Sequence, residues 1–182
     1  MKDIDYGPLE RLIGTWKGEL GQDRVPKTYG EKTNLYREVT KYTKAGQTEN
    51  IDVEVLRNVR YHTEIQRIND GKIIHDQVGY LIWIPENDQI IHSFTIPRGT
   101  AIVAGGSYSI DSDNTMKITV EAELGSKWEI AQSQFLSENS KIRKYYMEMS
   151  IKDDVMDYVQ HSYLEVFGKD FDHKDQNTLK KM

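Results

Sequence analysis

The 182-residue sequence contains no cysteine. That absence excludes disulfide frameworks, thiolate zinc sites, iron–sulfur ligation and cysteine nucleophiles, and it fits a reducing compartment. Any metal would need histidine, carboxylate, tyrosine or methionine. Long apolar runs are missing as well: the longest, from Val78 to Ile84, is far short of the roughly 20 residues that span a bilayer. The N-terminal MKDIDYGPLERLIG mixes charges and has neither an apolar segment nor a small-residue cleavage site. A soluble, cytoplasmic protein without a signal peptide or membrane span is therefore expected. Basic clusters are lacking too: 24 Lys+Arg stand against 29 Asp+Glu for a net charge of -5, and no dense patch reads as a nucleic-acid footprint. H-E-x-x-H, G-x-S-x-G, Walker-type and G-x-G-x-x-G patterns are all absent, which removes the common enzyme signatures.

What is present is alternation. Met116, Ile118, Val120 and Ala122 share one face while Lys117, Thr119, Glu121 and Glu123 take the other, as a half-buried strand requires. Tyr145, Met147, Met149 and Ile151 repeat the pattern, as do Met156, Tyr158, Leu164 and Val166. Turn-forming clusters at Asn69-Asp70-Gly71, Pro85-Glu86-Asn87-Asp88, Asp111-Ser112-Asp113-Asn114 and Lys152-Asp153-Asp154 separate such runs, so sequential hairpins follow. Runs near 15–21, 33–44, 53–68, 73–84, 89–96, 99–110, 115–123, 127–135, 141–152 and 155–167, with a short one near 177–181, give about ten strands. An antiparallel sheet of that size is expected to close on itself, because closure removes exposed edges. The fold class is accordingly all-β, a single antiparallel closed β-barrel occupying residues 1–182 as one domain. Only Tyr6 to Ile13 reads as a helix, with Pro8 near its start and Gly14 as its stop. The segment 46–50 reads as a loop, and the tail from Gly168 onward as too polar for core. A ten-stranded barrel is wider than side chains alone can fill, so it should hold a small ligand. The small-residue stretch Gly99 to Gly106 fits either close packing against a bulky group or a strongly bent strand.

The candidates for chemistry are few. Of the histidines at 62, 75, 92, 161 and 173, His75 is in phase with Gln77, Gly79 and Leu81 and points inward if they do. It reads either as a hydrogen-bonded interior histidine or, with Asp76, as a base in an enzyme acting on a small apolar substrate. His92 shares a face with Ile90, Phe94 and Ile96 but has no supporting context, and His62 and His161 read as satisfied strand positions. His173, among Asp172, Lys174 and Asp175, reads by itself as part of a solvated loop without the spacing of a calcium site. Arg98, between an apolar strand and Gly99, is either a clamp for a ligand carboxylate at the cavity mouth or a surface arginine in a turn. A heme-free carrier or sensor of a fatty-acid-like carboxylate would use Arg98 that way.

Gly14-Thr15-Trp16, at the end of the short helix, resembles the G-x-W opening of the calycins: lipocalins, fatty-acid-binding proteins and their relatives. In that setting Gly14 and Trp16 are structural, the Trp closing the barrel bottom. His75-Asp76-Gln77-Val78-Gly79-Tyr80 resembles the H-x-E-x-G-Y strand of nitrobindins, the heme-binding ten-stranded barrels, and Pro97-Arg98-Gly99 followed by Ala104-Gly105-Gly106 resembles that family's P-T-G and later glycine. The resemblance implies ferric heme b held through one axial histidine near the C-terminus, a place that His173 takes with Leu179 downstream. It puts His75 on the distal side, adds Tyr80, Arg98 and Gly99 to the ligand-binding set, and implies nitric oxide binding or peroxynitrite isomerisation. Pairing as a homodimer is implied as well. Asp76-Gln77, Arg98 in place of Thr, the polar residues after His173 and extra residues around 44–58 mark the sequence as a divergent branch.

Overall fold

The computed structural model describes residues 4–182. After a short 3-10 helix (Gly7–Leu12) come β1 (Gly14–Pro26), β2 (Glu31–Asn50), β3 (Glu54–Arg67), β4 (Ile73–Ile84), β5 (Gln89–Ile96), β6 (Thr100–Ile110), β7 (Met116–Glu123), β8 (Ile130–Gln132), α1 (Gln134–Asn139), β9 (Ser140–Lys152), β10 (Val155–Val166) and β11 (Lys169–Lys181). Neighbours pair antiparallel in the order β5-β4-β3-β2-β1-β11-β10-β9-β7-β6, and a β5–β6 ladder joins the ends. The result is a closed ten-strand ring, with β8 an extra rung beside β6.

Because the strands alternate in direction, the barrel has two distinct ends. One is plugged by the helix, whose Pro8, Leu9 and Leu12 are buried. Trp16, fully buried at the start of β1, donates its indole N–H to the Leu12 carbonyl at 2.7 Å, which satisfies the one polar atom of a large apolar plug. The other end, reached by the end of β1 and the start of β4, is the mouth. Beneath the mouth the core combines Val59, Leu81, Ile90, Phe94, Ile118, Met147 and Met149 with an unusual number of buried polar side chains. Gly105 settles the small-residue stretch in favour of close packing: a Cβ there would land inside the Trp128 ring.

Four expectations need correction. The segment 46–50 is not a loop. A bulge between Lys44 and Gln47, with Gly46 at φ 83, resets the register so that β2 and β3 go on pairing to Asn50↔Glu54. The tail from Gly168 is not peripheral, since β11 pairs with β10 from Lys169 to Lys180 and with β1 from Lys174 to Lys181, filling the gap between them. Its inward residues are polar because the wall they face is polar. The run at 127–135 shrinks to Ile130–Gln132, and α1 follows, its start capped by Ser133 accepting from the Leu136 N–H. The N-terminal helix is present as a single 3-10 segment over Gly7–Leu12 rather than 6–13.

Candidate functional site

A cavity of about 400 Å³ opens at the mouth, within the range usual for small-molecule sites. Phe94, Ile96, Ile102, Ile142 and Leu164 form apolar wall, while Asp23, Asn34, His75, Gln77, Thr100, His173 and Asp175 supply polar groups. His75 on β4 and His173 on β11 are four strand steps apart in the ten-strand ring, which sets them nearly across from each other. The inward phase of His75 with Gln77, Gly79 and Leu81 is as the alternation suggested.

Around His173 the sheet register builds a cluster. Asp23 on β1 lies opposite Asn34 on β2 and opposite Asp175 on β11, so three inward side chains stand in a row across adjacent strands. His173, two residues before Asp175, joins them on the same face. Its Nε2 is 2.8 Å from Asp23 Oδ1 and 3.5 Å from Asp175 Oδ2, and Asn34 donates through Nδ2 to Asp23 Oδ2 at 2.9 Å. Burial works against the His173 imidazolium, yet the Asp23 hydrogen bond and the two carboxylate charges outweigh it and hold the pKa above the ordinary value. Burial pushes Asp175 up to about 7. His173 Nδ1 has no hydrogen-bond partner among the described residues.

His75 belongs to a second network that runs into the barrel. Its Nε2 contacts Gln77 Oε1 at 3.0 Å, and the Gln77 amide donates to the Tyr61 hydroxyl. Tyr61 meets His92 Nε2 at 2.6 Å, while Tyr145 lies 3.4 Å from His92 Nδ1 and donates to Gln160 Oε1 at 3.1 Å. Burial lowers the His92 pKa to about 3, so its ring is neutral and has one donor and one acceptor. With Tyr145 donating to Gln160, only one assignment satisfies every atom. His92 Nδ1–H donates to Tyr145, Tyr61 donates to His92 Nε2, Gln77 donates to Tyr61, and His75 Nε2–H donates to Gln77. His75 therefore keeps Nδ1 as a lone-pair acceptor, and burial holds its pKa down. Deeper still, Glu38 is buried and accepts from Thr40, Tyr158 and Asn177 at 2.7–2.9 Å. Burial raises its pKa against those three bonds.

The remaining sequence candidates fall in three places. Arg98 stands at the rim, exposed, and donates through Nη2 to the Ile74 carbonyl at 2.7 Å. Gly99 occupies the turn beyond it at φ 78, where a Cβ would press on Ser133, and does not line the cavity. Tyr80 is a correction: on the pleat it faces outward, 43% exposed, away from the interior. His62 and His161 pair with Asp76 and Asp172 outside the cavity. Sequence reasoning missed Asp23, Asn34 and Thr100 altogether and left His92 without a role. The one available signal was the i, i+2 spacing of His173 and Asp175, which means a shared face only once the tail is known to be a strand.

No curated protein matches the sequence. Among solved structures, Rv2717c from M. tuberculosis is similar, with a TM-score of 0.73 and 18% identity over 98% of this chain and 99% of that one, a likeness that shows the barrel fold. Residues 5–181 match the model of the THAP4-like, heme-binding beta-barrel domain, and the chain belongs to that family.

Proposed function

We propose that the mouth cavity binds a single ferric heme b, which His173 would hold through its imidazole, with His75 across the cavity from it. The observation that carries this reading is the pair of histidines set nearly across one half-apolar cavity of about 400 Å³. The donor chemistry fits. Asp23 holds one His173 ring nitrogen and leaves the other free, an arrangement usual for metal-bound imidazole. Thr100 Oγ1, buried in the cavity wall, has no partner among the described residues and offers a donor to a heme carboxylate, as does Arg98 at the rim. When bound, the iron supplies an open coordination position for nitric oxide or for peroxynitrite isomerisation.

The chain's own residues do the rest. The apolar wall excludes water, and His75 presents Nδ1 as an acceptor because Gln77 holds Nε2. A long lipid tail is less well served, since below the mouth it would meet Gln77, Tyr61, His92 and Glu38, and the remaining inner cavity is about 60 Å³. The test is an absorbance titration of the purified full chain with hemin. A saturable Soret change ending near one heme per chain is expected, and faster peroxynitrite decay in the loaded protein extends the reading to activity. A change that never saturates overturns it.

A further inference from the structure

The row Asn34–Asp23–Asp175 with His173 asks for something besides heme. Two carboxylates stand directly opposite each other on paired strands, a like-charge placement that is unfavourable and that only the His173 imidazole, lying against both, relieves. Both are largely shielded, with side chains 12% and 16% exposed, and they share one imidazole. One oxygen from each Asp and one His173 nitrogen lie within 4.8 Å of one another. Ligand atoms about 2.0–2.2 Å from a common ion stand roughly 3–4 Å apart, so small side-chain adjustments close the set.

An independent observation points the same way. Asn34 is 8% exposed, and its Oδ1 is buried with no hydrogen-bond partner among the described residues, although its Nδ2 is bound to Asp23. A buried carbonyl oxygen can only accept, and leaving it empty costs free energy. Asn34 is bonded to Asp23 and lines the same cavity, so a cation held by the cluster would neutralise both carboxylates with that empty acceptor on the neighbouring strand.

We infer that Asp23, Asp175 and His173, with Asn34 Oδ1 as a fourth donor, form a binding site for a divalent first-row metal ion. Two carboxylates, an imidazole and an amide oxygen suit Zn²⁺, Mn²⁺ or Fe²⁺, and with a neutral imidazole the two carboxylates balance the ion's charge. The site opens to the mouth cavity, which leaves room for water or a small anion on the ion. Because His173 belongs to both sets, ion and heme contend for one imidazole.

The test uses the full chain, free of heme and stripped with a chelator, titrated calorimetrically with Zn²⁺ alone. Saturation at one ion per chain is expected, and Asp175→Asn should weaken it about tenfold or more. Should Asp175→Asn fail to fold, Asn34→Ala, which keeps every charge, serves in its place with a smaller loss. Prior Zn²⁺ should also slow hemin uptake by the wild type. Absence of saturable Zn²⁺ heat, or wild-type affinity in folded variants, overturns the proposal. Its failure is separate from that of the heme reading: zinc binding without hemin uptake sinks only the latter, and hemin uptake without zinc binding sinks only the former.

Discussion

Replacing Tyr61 with phenylalanine removes a single oxygen from the middle of the interior network. In the wild type that hydroxyl accepts from the Gln77 amide and donates to His92 Nε2, and all three residues are buried. The substitution keeps the ring and its packing 5.5 Å from Tyr42, so the loss is confined to hydrogen bonding. It strands one donor and one acceptor, each costing about 1–3 kcal/mol, for a total of about 2–6 kcal/mol. At about 2 kcal/mol per molar of urea, the unfolding midpoint should fall by about 1–3 M. Tyr42→Phe is the control, since the Tyr42 hydroxyl makes no hydrogen bond among the described residues and its loss should cost under about 1 kcal/mol. Equal midpoints for the two variants would refute the assigned network, and with it the acceptor role of His75 Nδ1.

Three other outcomes follow from the same geometry. Trp16→Ala empties the barrel plug and strands the Leu12 carbonyl, so a loss of about 3–5 kcal/mol is expected in denaturant unfolding. His92 has a folded pKa of about 3 against an ordinary 6.5; between these values the unfolded chain binds the extra proton, so its contribution is complete above pH 6.5 and is lost as pH falls toward 3. His92→Phe should flatten that acid slope in a pH series of unfolding curves. Asp175 runs the other way, its folded pKa of about 7 lying above the ordinary 3.8, so in metal-free protein its effect on stability worsens from pH 4 to 7. Asp175→Asn should therefore raise the thermal midpoint of metal-free protein at pH 8 more than at pH 4, and a uniform shift would contradict the burial argument.

The parts of the barrel legible in the sequence are those whose inner face is greasy. β7 and β9 bury Met116, Ile118, Val120, Tyr145, Met147 and Met149, and alternation finds them at once. β11 was read only as a short run near 177–181, because its inward residues after Phe171 are His173, Asp175 and Asn177, satisfied by Asp23 and Glu38 rather than by apolar neighbours, so hydropathy carries no period there. The site was lost for the same reason. His75 and His173 could be reached through motif resemblance, but Asp23 and Asn34 meet only through strand register, which depends on bulges in β1 between Lys17 and Gln22 on one side and Gly18 and Gly21 on the other. A one-residue slip would have turned each of them outward. α1, six residues long, is too short to show a helical period.

The proposed role of His173 in holding the heme is tested by hemin dissociation from the wild type, His173→Ala and His75→Ala in parallel, each followed by transfer to an excess of a competing heme acceptor and repeated with added imidazole. Fast loss and an altered Soret band are expected for His173→Ala, with partial rescue by imidazole, and near wild-type retention for His75→Ala. Equal retention by wild type and His173→Ala would contradict it.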